Sequence, residues 1–453
     1  MSINKNIFRE YDIRGVYPSD INEEVAYLIG RSYGSYIQEF LGKSKCVVGH
    51  DNRLSSPTLS EALIKGITES GCDVVFLGLC TTPMYFSFCI ESRLVIGIMI
   101  TASHNPKDDN GFKFSFDNLG NARGKQVYDF RDYTLNGNFK TGAGSVETYD
   151  SRNDYLKLLK NSITLGKRPL KVVIDSGNGV ASIIAKEVHE MFDLDITMIN
   201  DENDGTFPNH HPDPSVEENM EQLKMKVLET GADIGLAYDG DGDRIGIVDN
   251  MGKMIPIDRL MVLIVRDLIS SVDKKTFLYD VKCSKVLEDE IKRLGGNPLC
   301  YRTGASYTRA KVVEDSLIFG GELSGHLYFT DKWPGFDSGI YAGLRVLEIL
   351  SNSNKHLSEL TADIPTLFNT PELKVKVADD FKFGIVDKVK EYCTSKNYNI
   401  NTIDGVRVTY EDGWALVRAS NTGPNLTLRF EANTEVRLKE IRQEFESLID
   451  SLL

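Results

Sequence analysis

Lys171-Val172-Val173-Ile174-Asp175, then a helical pattern near Ala181 to Met191, then Ile196-Thr197-Met198-Ile199, is the stretch that decides the fold. Two short β-branched runs on either side of a helix-length segment read as a βαβ unit, because parallel strands need a crossover between them. The rhythm extends in both directions. Upstream, Cys46-Val47-Val48 reads as a strand and Pro57 to Ser70 as a helix, with proline in its first turn and Gly71 closing it. Val74 to Leu77 and Leu94 to Ile100 follow as strands. Downstream come Thr276 to Val281, a helix from Ser284 to Leu294, and Leu317 to Phe319. These blocks predict three similar α/β domains with mixed or parallel sheets, without a clear sequence repeat. The last block differs. Gly405 to Tyr410, Glu411-Asp412-Gly413 and Trp414 to Ala419 read as a hairpin, Leu426 to Glu431 as a strand, and Thr434 to Leu453 as a charged amphipathic helix. That is a smaller α+β domain, entered through a linker at Thr366 to Pro371. The expected limits are 1–150, 151–251, 252–367 and 368–453.

The chain has 453 residues, with 52 Lys+Arg against 66 Asp+Glu and a formal net charge of −14. Such an acidic surface argues against nucleic acid or an anionic membrane as a partner, while leaving room for a local phosphate pocket. Seven scattered cysteines with no C-x-x-C pair read as free thiols of a reducing cytosol. The N-terminus lacks the apolar core of a signal peptide. The apolar run Leu260 to Val265 is stopped by Arg266, far short of the roughly 20 residues a membrane helix needs. A cytoplasmic protein is expected.

The sharpest motif is Asp239-Gly240-Asp241-Gly242-Asp243-Arg244, directly after the apolar run Ile234 to Tyr238. Carboxylates at alternate positions, with glycines between, can bend onto one point and offer hard oxygen ligands to Mg²⁺ or Ca²⁺. An EF-hand beginning at Asp239 would need Gly and Glu where the chain has Arg244 and Asn250. Without a cation, three crowded carboxylates repel, so a metal site is preferred to an acidic turn.

A second motif is Thr101-Ala102-Ser103-His104-Asn105-Pro106, with Lys113 just beyond. Ser103, at the C-terminal edge of a strand, is read either as a nucleophile with His104 as its base or as a turn residue. No G-x-S-x-G elbow surrounds it, and adjacent side chains of an extended segment point apart, which weakens direct Ser–His pairing. In Gly320-Gly321-Glu322-Leu323-Ser324-Gly325-His326, Glu322 and Ser324 would share a side if extended and suit neighbouring hydroxyls; a glycine-rich turn with incidental polar residues is the alternative. Arg418-Ala419-Ser420-Asn421-Thr422-Gly423-Pro424 offers a cation, two hydroxyls, an amide and backbone N–H groups to a phosphate, or is a polar loop. Glu10-Tyr11-Asp12-Ile13-Arg14-Gly15 and Gly49-His50-Asp51-Asn52-Arg53 are weak taken alone. Gly177-Asn178-Gly179 fails the dinucleotide fingerprint and reads as a tight strand-to-helix turn, and His210-His211-Pro212-Asp213 as a loop.

Taken together and in this order, the segments resemble the α-D-phosphohexomutases, particularly the phosphomannomutase/phosphoglucomutase branch. The resemblance runs essentially end to end. It implies four domains around a central cleft, with Ser103 carried as phosphoserine beside Mg²⁺ held by Asp239, Asp241, Asp243 and Ser103. It implies transfer of that phosphoryl to a hexose 1- or 6-phosphate of mannose or glucose. A hexose 1,6-bisphosphate then turns over in the cleft and also serves as activator. Arg14, Lys113 and Arg244 would add positive charge, Arg418, Ser420, Asn421 and Thr422 would anchor the distal phosphate, and Glu322 and Ser324 would read sugar hydroxyls. Tyr11 and Lys282 are also expected to bind substrate, and the partners to be small-molecule hexose phosphates, the chain acting as a monomer or dimer. Leu323 stands where glucosamine-specific relatives carry Gln, which makes an amino sugar the less expected substrate. One departure matters. The family's Thr-Gly-His is here Thr303-Gly304-Ala305, so a proton-handling histidine is lost, with His326 or Lys282 as the residues able to compensate. A catalytically weakened sugar-phosphate-binding homologue is therefore the alternative expectation.

Overall fold

Among residues 3–421 and 423–453, which the computed structural model describes, four sheets succeed one another along the chain. In the first, Lys45–His50 runs parallel to both Asp73–Leu79 and Gly97–Ile100, and Asp109–Ser115 returns antiparallel to Gly97–Ile100. In the second, Lys171–Asp175 runs parallel to Asp195–Ile199 and Ile234–Tyr238, and Ile245–Asp249 returns antiparallel. In the third, Thr276–Asp280 is parallel to Asn297–Tyr301 and Phe319–Gly321, and Leu327–Phe329 returns antiparallel. The repeat that the sequence hides is thus plain in the topology. Each block carries a singled-out motif in the same link, the turn between its last parallel strand and that strand's antiparallel neighbour: 101–108, 239–244 and 322–326. The second sheet ends on Met254–Ile255, just beyond residue 251.

The fourth sheet is antiparallel throughout, centred on Gly413–Ala419 and Asn425–Ala432 and covered by helices Asp379–Ser395 and Glu435–Leu452. Thr434 caps the last helix by accepting from the Arg437 amide at 3.2 Å. Tight sequence patterns reappear nearly residue for residue, as at Lys171–Asp175 and Ile234–Tyr238.

Other expectations need correction. The helix placed over Ala181 to Met191 is split into a 3₁₀ turn, Val180–Ile183, and a short α-helix, Ala185–Glu190, because Ile184 between them leaves helical geometry with φ −135° and ψ −25°. The strand placed at Leu317 to Phe319 begins at Phe319 and includes both glycines, Gly320 and Gly321. The linker Thr366 to Pro371 contains a short strand, Phe368–Asn369, that joins the fourth sheet.

Apolar packing is distributed unevenly. One core runs without interruption from Met84, Phe86 and Phe88 of the first block through Leu236 and Ile245 of the second to Phe319, Phe329 and Leu344 of the third. Each such side chain contributes about 1.5–3 kcal/mol when fully buried. The fourth block keeps its own core, including Val417, Leu428, Phe430 and Phe445, and meets the third through a small cluster of Val281, Trp414 and Leu416. Polar contacts complete that junction. Arg407 donates to the carbonyls of Val281 and Cys283 at 2.5 and 2.9 Å, Arg429 donates to the carbonyl of Lys282, and the Lys285 amide donates to Glu431 at 3.0 Å.

Candidate active site

The three equivalent turns converge with the fourth block on a cavity of about 810 Å³. Its lining includes Tyr11, Arg14, Ser103, His104, Lys113, Asp243, Arg244, Lys282, Glu322, Ser324, His326, Arg418, Ser420 and Asn421. Asp239 and Asp241 lie fully buried beneath them. Thr422 falls outside the described residues.

Ser103 has a left-handed backbone, φ 51°, rare for a residue with a side chain and characteristic of strained functional turns. That conformation lets its amide donate to Thr101 Oγ1 at 2.8 Å and its hydroxyl donate to Asp239 Oδ2 at 2.9 Å. It also overturns the expectation drawn from an extended segment: Ser103 Oγ lies 3.3 Å from His104 Nδ1. Burial, with the Arg244 and Arg14 guanidiniums nearby, holds His104 well below its ordinary range and hence neutral near pH 7. Arg53, fully buried, fixes the loop from behind by donating to the carbonyls of Ser103, Asn105, Pro106 and Asp109 at 2.5–2.9 Å, while Asp51 lies 3.3 Å from its Nε. Gly240 lets the two loops meet, since a Cβ there would sit 2.4 Å from the Ser103 carbonyl oxygen.

Asp239, Asp241 and Asp243 present carboxylate oxygens within 4.8 Å of one another. Asp239 Oδ1 accepts from the Gly242 and Arg244 amides at 3.1 and 3.0 Å. Asp241 Oδ2 accepts from Thr82 and Lys113, both at 2.7 Å, and Lys113 also donates to Asp243 Oδ2 at 2.7 Å. Two buried oxygens, Asp241 Oδ1 and Asp243 Oδ1, have no hydrogen-bond partner among the described residues. Burial and the two neighbouring carboxylates raise Asp239 well above the usual carboxylate range. Concentrated negative charge, unpartnered hard oxygens and a hydroxyl alongside suit a divalent cation such as Mg²⁺.

Around this centre stand the cations. Arg14 donates to Asn105 Oδ1 at 2.8 Å and to Asp12 at 2.7 Å. Arg244 Nε donates to His326 Nε2 at 2.9 Å, which places the ring proton on Nδ1, 2.7 Å from Asp337 Oδ2. Burial opposes the charge of Lys113, but Asp241 and Asp243 outweigh it and push the ammonium above its ordinary range.

Glu322 and Ser324 do not share the side of an extended strand. They occupy a tight turn in which the Gly325 amide donates to the Glu322 carbonyl at 3.0 Å and the Glu322 amide to the His326 carbonyl at 2.9 Å. One Glu322 oxygen is committed to the Gly304 amide and Thr308 hydroxyl, at 3.0 and 2.5 Å, while the other accepts from Ser324 at 3.4 Å. Ala305 opens the helix Ala305–Glu314 on the same wall. Across the cavity, Arg418 Nε donates to Asp404 at 3.0 Å, and Lys382 draws the next loop inward by donating to the Ser420 and Gly423 carbonyls at 2.6 and 3.1 Å. Asn421 Nδ2 is buried without a partner among the described residues.

Several site residues escaped the sequence reading. Arg53 lay in a motif that is weak alone, and its signal was proximity in space to Ser103. Asp337 and Glu372 sit in segments with no motif at all, paired with His326 and Lys282. The His210–Asp213 segment is a loop in which His210 Nε2 meets Asp175 at 3.0 Å.

Sequence profiles described as "Phosphoglucomutase/phosphomannomutase, alpha/beta/alpha domain I", domain II and domain III match residues 5–130, 153–252 and 256–368, and the C-terminal domain profile matches 372–448. The phosphomannomutase/phosphoglucomutase of Pseudomonas aeruginosa is 42% identical over 453 residues, covering 99% of this chain and 96% of that protein. The phosphoglucomutase of a Neisseria meningitidis serogroup A strain is 37% identical, covering 99% of this chain and 98% of that protein. A crystal structure of a phosphoglucomutase/phosphomannomutase family protein from Burkholderia thailandensis superposes with a TM-score of 0.91 at 38% identity, over 99% of this chain and 98% of that one.

Proposed function

Because the chain belongs to the phosphoglucomutase/phosphomannomutase family, the α-D-phosphohexomutases, and is a hexose-phosphate mutase, an isomerase, we propose that it interconverts hexose 1-phosphate and hexose 6-phosphate through a phosphoserine at Ser103. Mannose, glucose or both serve as the sugar. The observation that carries this reading is the meeting of Ser103, three carboxylates and Lys113 at one end of a cavity whose other end is a separate cationic loop on the fourth block. Two phosphate-sized sites suit a bisphosphate better than a single-phosphate hydrolysis, which sets the reading apart from a phosphatase.

In the proposed cycle the phosphoryl leaves Ser103 Oγ for the free hydroxyl of a hexose monophosphate; that O–P bond breaks as the sugar O–P bond forms. The bisphosphate turns round and returns its other phosphoryl to Ser103. Mg²⁺, held by Asp239, Asp241, Asp243 and Ser103, supplies positive charge to the phosphoryl oxygens when bound. Arg14, Lys113 and Arg244 add fixed charge in the same place. Arg418, Ser420, Asn421 and Thr422 hold the distal phosphate, Glu322 and Ser324 read sugar hydroxyls, and Tyr11 and Lys282 also bind the substrate. His326 takes the hydroxyl proton on Nε2 once Arg244 turns from that nitrogen to the incoming phosphate, its Nδ1 proton facing Asp337, and His104 steadies Ser103 Oγ. Ala305 removes one proton-handling group, but the rest of the set is present, so a non-catalytic binding protein is not favoured.

The domain limits near 150, 251 and 368 belong to the same proposal, as do a catalytic trace of hexose 1,6-bisphosphate as activator and action as a monomer or dimer. Among the described residues no helix is long and apolar enough to cross a membrane, and all seven cysteines are free. A cytoplasmic setting is proposed on those thiols. The test is a coupled assay on glucose 1-phosphate and mannose 1-phosphate in parallel, with Mg²⁺ and a little hexose 1,6-bisphosphate. Turnover is expected; none, from protein phosphorylated at Ser103, overturns the reading.

A further inference from the structure

The cations at the distal end of the cavity have carboxylate partners of their own. Arg418 Nε donates to Asp404 at 3.0 Å, and Lys282 Nζ donates to Glu372 Oε1 at 2.6 Å. The two carboxylates are differently placed. Asp404, with a side chain 9% exposed, also accepts from the Thr303 amide at 3.0 Å, so it is committed to the architecture. Glu372, with a side chain 33% exposed, lines the cavity between the strands Phe368–Asn369 and Leu373–Lys376, where the chain passes from the third block into the fourth. Burial works against its charge, yet Lys282, Arg429 and Arg418 hold it down at about 2, so it stays ionised wherever the protein is folded and active.

Lys282 stands on the turn that the fourth block grips. Its own carbonyl accepts from Arg429, and the carbonyls on either side accept from Arg407. Glu372 adds a grip on the side chain, and it does so inside the substrate cavity. A dianionic phosphate entering beside Arg418 meets an ammonium already shared with a carboxylate. That matters for a reaction whose intermediate must be held and yet turn round, because binding that is equally strong at every stage slows turnover instead of aiding it.

We propose that Glu372 is a positioning residue that shares Lys282 with the substrate's distal phosphate, aiming the ammonium while keeping that end of the cleft weak enough for a hexose bisphosphate to let go and reorient. The inference rests on the mutase reading above. Glu372→Gln keeps the side-chain volume and an acceptor but removes the charge. Uncovering one charge at this range increases affinity for glucose 1,6-bisphosphate about tenfold, with kcat falling by a similar factor and kcat/KM nearly unchanged. Glu372→Asp, with the carboxylate drawn back, moves the same constants in the same direction by a smaller factor and serves where the glutamine variant does not fold. A rise in KM, an unchanged affinity, or a loss of kcat/KM matched by a lowered melting temperature overturns the proposal and leaves Glu372 a structural residue. A wild-type chain without mutase turnover removes instead the reading beneath it.

Discussion

The two ends of the cavity are built on different physics. The Ser103 end rests on three blocks linked by one continuous apolar core, with a second core inside the first block, and its loops are locked by buried contacts: Arg53 on four carbonyls, Thr82 on Asp241, Lys113 on two aspartates. The Arg418 end belongs to a block with its own core, joined to the rest by a small apolar cluster and by arginines donating to backbone carbonyls. Chemistry that must place a phosphoryl within tenths of an ångström gains from the first arrangement. A phosphate that must be caught, released and caught again gains from the second. A polar junction of this kind would let the fourth block shift without opening a large apolar surface.

The comparison can be broken at five points. Ser103→Ala should have the largest effect, lowering mutase turnover by about 10⁴-fold or more while leaving the melting temperature nearly unchanged. Residual turnover within tenfold of wild type would remove Ser103 as phosphoryl carrier. Arg53→Met should cost about 3–5 kcal/mol, because it strands buried Asp51 and four carbonyls, and should cut activity through loop disorder. Denaturant melts check the first part, and a loss under 1 kcal/mol would mean the clamp is not needed. Acid stability probes the same rigid body. Burial lowers His189 to about 4, below its unfolded value near 6.5. The neutral ring is therefore favoured in the fold: its contribution is full above about pH 6.5, falls as pH drops toward 4 and is constant below. The whole amounts to about 3 kcal/mol, and melts of His189→Gln against wild type across that window should show the slope vanish.

Weaker effects lie at the junction. Arg407→Ala frees two carbonyls and should broaden the small-angle scattering profile, with activity falling about tenfold. An unchanged profile would make the joint as rigid as the apolar core. The exposed pair between Arg9 and Asp379, at 3.6 Å, bridges the first and fourth blocks and should contribute no more than about 1 kcal/mol. Arg9→Ala should therefore leave turnover within twofold of wild type.

How far the sequence spoke follows the same division. Local periodicity gave the strands Lys171–Asp175 and Ile234–Tyr238 and the last helix, because buried parallel strands and capped amphipathic helices carry their own signal. The aspartate loop was legible for a similar reason, since carboxylates alternating with glycines have few other uses. What could not be read depended on distant neighbours. The equivalence of the turns at 101–108, 239–244 and 322–326 is a property of strand pairing, not of residue type. Arg53 acts only because the loop at 103–109 folds over it, and Glu372 only because the fourth block returns to Lys282. The expected separation of Ser103 from His104 failed because a positive φ, which no pattern announced, turns the serine back.

The central claim is that one phosphoryl passes between Ser103 and sugar at a single site. Protein labelled at Ser103 with ³²P from hexose 1,6-bisphosphate, purified, and mixed with unlabelled glucose 1-phosphate and Mg²⁺ tests it directly. The label should leave the protein within a turnover and appear in hexose bisphosphate and glucose 6-phosphate. Label released chiefly as inorganic phosphate, or retained on the protein while the sugar phosphates interconvert, would contradict it.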